Sequence, residues 1–152
     1  MKQESGRSLI EIIGVLAIAG VMTVATVAVY NSIRNRQVRT IAKTDLEQIA
    51  KNTKLLLEMR GDYAGVSVDY LIKSGALKNN RAPIGSSDWS ITSSVDGSKF
   101  LINLTGLSND DCAFFTTAYL DWTIGIRVNG YETDPGAYCL RTGDNQLSFI
   151  VQ

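Results

Sequence analysis

The sequence predicts an α+β protein in which a long N-terminal spine helix, apolar in its first half and amphipathic in its second, packs on a C-terminal antiparallel β-sheet. Three observations carry this. An apolar run near the N-terminus continues, without a Gly or Pro between Tyr30 and Met59, into a stretch whose apolar residues recur at helical spacing. After Gly61 the vocabulary changes to short alternating runs separated by turn dipeptides. With 152 residues, 45% of them hydrophobic, the chain is about one domain long, so the part beyond the apolar run is small and its sheet needs the amphipathic helix to cover one face.

The apolar run comes first. From Ile12 to Ile33 no residue is charged, about 22 positions or roughly 33 Å of helix, enough to cross a hydrocarbon core about 30 Å thick. A secretory signal is the ordinary alternative, with Thr26-Val27-Ala28 as its cleavage site. Against it stand the length of the run, beyond the usual apolar region of about 7 to 15 residues, and a carboxylate, Glu11, at its head.

The amphipathic half comes next. Ile33, Val38, Ile41, Ala42, Leu46, Ile49, Ala50, Leu56 and Leu57 mark one face, and Arg34, Arg36, Arg39, Lys43, Asp45, Glu47, Lys51, Lys54 and Glu58 fill the other. One helix is therefore expected from about Ser8 to Met59, ended by Gly61. Residues 66–77 predict a short helix opened by Ser67 and closed by Gly75, and 79–87 a loop. Trp89 to Leu104 predicts a hairpin around Asp96-Gly97. Ser108 and Asp111 sit at N-cap and third helical positions, so a helix is expected from about Asn109 to Tyr119. A strand with an Asn129-Gly130 turn comes after it, then a loop (134–141) leading into another strand, and a closing strand in "LSFIVQ", for four or five strands in all.

Composition narrows the function. Fifteen Lys plus Arg balance fifteen Asp plus Glu, so no basic surplus points to nucleic acid as the main partner. There is no histidine, which removes the commonest general base and metal ligand. Asp110-Asp111 reads more simply as a helix N-terminus than as a metal site, and residues 142–146 as a turn without the spaced ligands of a calcium loop. No nucleophilic triad, phosphate loop or carboxylate pair can be assembled, so no enzymatic activity, cofactor or metal is expected. Cys112 and Cys139 are too few for a zinc site and form no C-x-x-C pair. They are either a single structural disulfide, implying an oxidising compartment, or two buried thiols.

The stretch "SGRSLIEIIGVLAIAGVM" resembles the N-terminus of type IV pilin and pseudopilin precursors: a short leader ending in glycine, a glutamate fifth after the cut, then an apolar helix. The resemblance implies a leader of residues 1–6, a transmembrane and assembly helix of 7–33, and a globular pilin domain of 34–152. It implies cleavage between Gly6 and Arg7 by a membrane-embedded prepilin peptidase, methylation of the new N-terminus, and polymerisation with inner-membrane assembly machinery into a helical homopolymer. The chain would pass from the inner membrane to an extracellular filament serving adhesion, motility, conjugation or DNA uptake. It also implies that Cys112 and Cys139 staple the surface-exposed C-terminal region. Tyr119, Trp122, Tyr131 and Tyr138 within that segment read mainly as sheet-covering core, with adhesive surface as the alternative. Arg7 replaces the Phe or Met found first after the cut in many members, and no proline interrupts the apolar run. A pseudopilin of a type II secretion system and a single-span membrane protein with a partner-binding domain are the alternatives.

Glu11 admits two readings. Near the start of its own helix, an anion is favoured by the helix dipole by about 0.3 to 1 kcal/mol with no partner at all. In hydrocarbon or a filament core, an ionised carboxylate is costly unless paired, and the α-amine created at Arg7 is the natural counter-charge for assembly. One rule points the other way: Arg34, Arg36 and Arg39 come after the span while only Lys2 and Arg7 precede it, which by itself would leave the C-terminal domain in the cytoplasm.

Overall fold

The computed structural model describes residues 2–132 and 134–152, with side chains from Ser8 onward except those of Pro135 and Ala137. Gly6 and Arg7, the expected processing site, lie outside the residues whose side chains are described. The elements in order are α1 (Lys2–Glu58), α2 (Val68–Lys73), β1 (Ser90–Ser93), β2 (Phe100–Leu107), α3 (Asn109–Thr117), β3 (Gly125–Val128), a single 3-10 turn (Pro135–Tyr138) and β4 (Asn145–Val151). This is the α+β arrangement that the sequence predicts. The chain falls into two compact units, Met1–Val38 and Arg39–Gln152.

Within the second unit, α1 turns Ala42, Leu46, Ile49, Ala50, Thr53 and Leu57 inward, steps of three and four residues that keep one face on the core. Thr53 is the polar exception, and its hydroxyl donates to Ile49 O at 2.7 Å, so nothing is left unsatisfied by its burial. Asn52 Nδ2 donates to Ala76 O at 3.2 Å and Lys54 Nζ to Gln152 O at 3.0 Å, tying the same helix to the end of α2 and the end of the chain. The helix stops as expected, with the amide of Gly61 turned back to Leu57 O.

The sheet is antiparallel with order β1-β2-β4-β3. The last strand therefore enters between two earlier ones. Phe100, Ile102 and Leu104 of β2 stand opposite Val151, Phe149 and Leu147 of β4, and Ile126 and Val128 of β3 stand opposite Phe149 and Leu147. Alternation puts this row on the helix-covered face. The other face carries a polar row across all four strands, Ser90, Asn103, Ser148 and Arg127, where Asn103 Nδ2 donates to Ser90 Oγ and Thr92 Oγ1. Rings brace the core from the α3 side: Phe115 and Trp122 lie 5.7 and 5.4 Å from Phe149.

Between Leu104 and Leu107 the register of β2 slips. Gly106 sits there at φ +65, and a Cβ on it would come 2.7 Å from Ser86 Cβ; a Cβ on Gly85 would come 2.4 Å from Thr105 O. The two glycines let the 79–89 loop cross β2 close enough for Ser86 N to donate to Thr105 O at 2.8 Å.

Four expectations need correction. The hairpin connection is not a tight two-residue turn on Asp96-Gly97 but spans Ser94 to Lys99, with Gly97 N donating back to Ser94 O. Asp96 organises it: its carboxylate accepts from Ser94 Oγ, Ser98 Oγ and Ser98 N, which together hold its pKa down at about 2. No separate strand forms between Tyr138 and Asn145, where Leu140 gives its amide to the Asn145 side chain instead of to a ladder, so the sheet has four strands and not five. The capping box on α3 is half formed: Ser108 Oγ accepts from Asp111 N at 3.1 Å, while the Asp111 carboxylate is taken by Arg39. Finally, α1 begins at Lys2 rather than near Ser8.

Candidate functional site

Two regions carry the residues singled out by the sequence. The first is the N-terminal part of α1. Every residue from Ser8 to Val38 is exposed, and α1 contains a stretch long and apolar enough to cross a bilayer, with 0% of it buried in the chain. That exposure separates it from the core helix of a soluble domain, which passes the same length test while packed. Its two central hydroxyls are satisfied locally: Thr23 and Thr26 donate to Ala19 O and Met22 O, each at 2.7 Å. Such back-bonding suits a helix surrounded by hydrocarbon or by other apolar helices.

Glu11 is exposed on this helix. Because α1 begins at Lys2, Glu11 lies about 14 Å along the axis from the helix start. The dipole acts within the first turn, so in the uncut chain it does not account for this carboxylate.

The second region is the segment closed by Cys112 and Cys139, which are joined as a disulfide with Cα atoms 5.9 Å apart. Cys112 is buried on α3, and α3 is anchored one residue earlier: Arg39 Nε donates to Asp111 Oδ1 at 2.7 Å, with both side chains about four-fifths buried (20% and 21% exposed). The amphipathic half of α1, the α3 N-terminus and the disulfide are thus linked through adjacent residues.

Three asparagines hold the far end of the loop, and sequence patterning does not single them out. Asn109 Nδ2 donates to Cys139 O and Leu140 O at 3.3 and 3.2 Å. Asn129 Nδ2 donates to Tyr138 O at 2.8 Å and to Asn145 Oδ1 at 3.1 Å, while its Oδ1 accepts from Gln146 N at 2.9 Å. Asn145, fully buried, accepts from Leu140 N at 2.6 Å and donates to Leu107 O and Leu140 O. The one signal in the sequence is Asn129 ahead of Gly130, which speaks for the backbone it tolerates and not for its side chain.

The aromatic residues of this segment also depart from expectation. Only Trp122 joins the core. Tyr119 is 84% exposed, and Tyr131 and Tyr138 are 54% and 37% exposed, stacked on each other at 4.1 Å and 8°. Core space against Phe149 is taken by Phe115 and Trp122, leaving the tyrosines to the surface. Among the described residues no group of three or more His, Cys, Asp or Glu could hold a metal ion.

No family model and no curated protein matches this chain.

Proposed function

We propose that the chain is the precursor of a type IV pilus subunit, inserted in the inner membrane through residues 7–33, cut between Gly6 and Arg7, and polymerised through its apolar helix into an extracellular filament. The observation that carries this reading is the uninterrupted exposure of Ser8–Val38 on a helix whose continuation forms part of a packed domain. So large an apolar surface is incompatible with a solitary water-soluble chain and calls for lipid first and other helices afterwards. The disulfide supports a C-terminal domain outside the cytoplasm, and outweighs the arginines beyond the span, since a structural bridge persists only under oxidising conditions.

Cleavage after Gly6 gives Glu11 its role. It removes the first turn and a half of α1, places a new α-amine at Arg7, and leaves the carboxylate about one turn (~6 Å) from the new helix start. Docking one subunit's N-terminus against a neighbour's Glu11 cancels two charges that are each costly in an apolar setting. The test is the intact mass of the membrane and sheared-fibre protein. The expected mature chain lacks residues 1–6 and dominates or accompanies the sheared filaments; a chain beginning at Val29 marks an ordinary signal peptide and ends the reading. Filaments confined to the periplasm would assign the chain to a pseudopilin instead.

A further inference from the structure

Asn129-Gly130 is the only Asn-Gly pair in the sequence. In such a pair the glycine backbone nitrogen is open to attack the asparagine side chain, because glycine puts no Cβ in the way. Here the pair forms a two-residue turn: Asn129 and Gly130 take φ +48 and +89, and Val128 and Tyr131 exchange both backbone bonds at 2.8 Å. The Asn129 carboxamide is also the tie between that turn, the 3-10 turn at Tyr138 and the start of β4. The nitrogen that deamidation would expel is therefore the one that ties the turn to Tyr138 and Asn145.

We propose that Asn129-Gly130 is a self-modification site gated by this asparagine latch: opening of the loop lets deamidation run, and the carboxylate it leaves cannot close the latch again. In the reaction the Gly130 backbone nitrogen bonds to Asn129 Cγ and loses its proton. The Cγ–Nδ2 bond breaks and Nδ2 leaves as ammonia. Water then opens the succinimide at either carbonyl, giving aspartate or isoaspartate at position 129. No oxidant or reductant is involved.

The closed latch opposes the first step, since expelling Nδ2 gives up its bonds to Tyr138 O and Asn145 Oδ1. The product then meets acceptors where a donor stood. Asn145 has no compensating rotation, because its Nδ2 is held by Leu107 O and Leu140 O and its Oδ1 by Leu140 N. Two acceptor oxygens facing each other without a hydrogen are unfavourable in a partly buried site. Isoaspartate adds a backbone carbon to a turn two residues wide. Modification thus converts a closed segment into an open one, still tethered by Cys112–Cys139, and frees the surface that carries the Tyr131–Tyr138 stack.

The test compares the purified, oxidised full-length protein with a synthetic peptide spanning 125–134, incubated together at fixed pH and temperature, with deamidation at Asn129 monitored by peptide mapping. The native chain is expected to react at least about tenfold more slowly, because each 1.4 kcal/mol needed to open the latch slows a reaction through the open state about tenfold. The deamidated fraction, separated by its added negative charge, and the Asn129→Asp chain are expected to exchange the Leu140 and Gln146 amides faster than the unmodified chain. Equal rates in peptide and native protein overturn the gating. Unchanged exchange at both amides after deamidation overturns the latch.

Discussion

Residues 8–38 and residues 39–58 belong to one helix, yet their side chains meet opposite fates. In the first stretch every residue is exposed. In the second, Ala42, Leu46, Ile49, Ala50, Thr53 and Leu57 go under the sheet, and Arg39 pairs with Asp111. The backbone is satisfied identically in both, by bonds four residues back, so helix formation itself does not distinguish them. What differs is where the side chains find partners. The second stretch finds them within its own chain; the first has to find them in lipid or in other molecules. A substitution in the first stretch should therefore act on insertion or assembly and leave domain stability alone, and one in the second should do the reverse.

The largest expected effect breaks the comparison if it fails. Glu11→Gln, expressed in cells lacking the native copy, is expected to abolish or sharply reduce sheared filaments while the thermal midpoint of the C-terminal domain stays put. Glu11→Asp should restore assembly only in part, its shorter reach lengthening the charge pair. Wild-type filament yield from Glu11→Gln would return this residue to an interfacial role.

Core truncation sharpens the contrast. Phe149→Ala removes the ring against which Phe115 and Trp122 pack and should destabilise the domain by about 3 to 5 kcal/mol in denaturant unfolding. Leu16→Ala, in the exposed stretch, should leave the same midpoint unchanged. Removing the bridge with Cys112→Ser and Cys139→Ser should cost about 3 to 4 kcal/mol by the loop-entropy relation, for a sequence separation of 27, without altering membrane insertion. Non-reducing peptide mapping gives the companion readout, and two freely alkylating thiols in exported protein would contradict the bonded pair.

Arg39 stands at the boundary between the two behaviours. Arg39→Met should cost about 1 kcal/mol, above the usual surface pair because both partners are mostly buried but below a fully buried one. Arg39→Lys should recover part of it. The smallest effect belongs to Asp96. Its folded pKa is depressed to about 2 by the Ser94 and Ser98 donors, below the unfolded value, so its contribution is present above about pH 4 and disappears as pH falls through about 2. Asp96→Asn should lower the thermal midpoint slightly at neutral pH and flatten its fall between about pH 4 and pH 2, so that variant and wild type converge at the acid end.

By itself, the sequence determined the features governed by neighbours along the chain. The exposed apolar stretch of α1 comes from an uncharged run, the packed face of α1 from three- and four-residue spacing, and the starts of α2 and α3 from Ser67 and Ser108, whose hydroxyls accept from Tyr70 N and Asp111 N three residues on. The Asn129-Gly130 turn comes from a dipeptide that tolerates positive φ. Each is a short-range matter of sterics or of one local hydrogen bond. The tertiary structure alone decided the rest. That β4 enters between β2 and β3, that Asp111 turns from its own cap to Arg39, and that Phe115 and Trp122 displace three tyrosines from the core are choices among partners distant in sequence. So is the use of Asn109, Asn129 and Asn145 to close the disulfide loop. Such choices depend on which donors, acceptors and apolar faces remain free once the sheet is assembled, and competition of that kind leaves no periodicity to read.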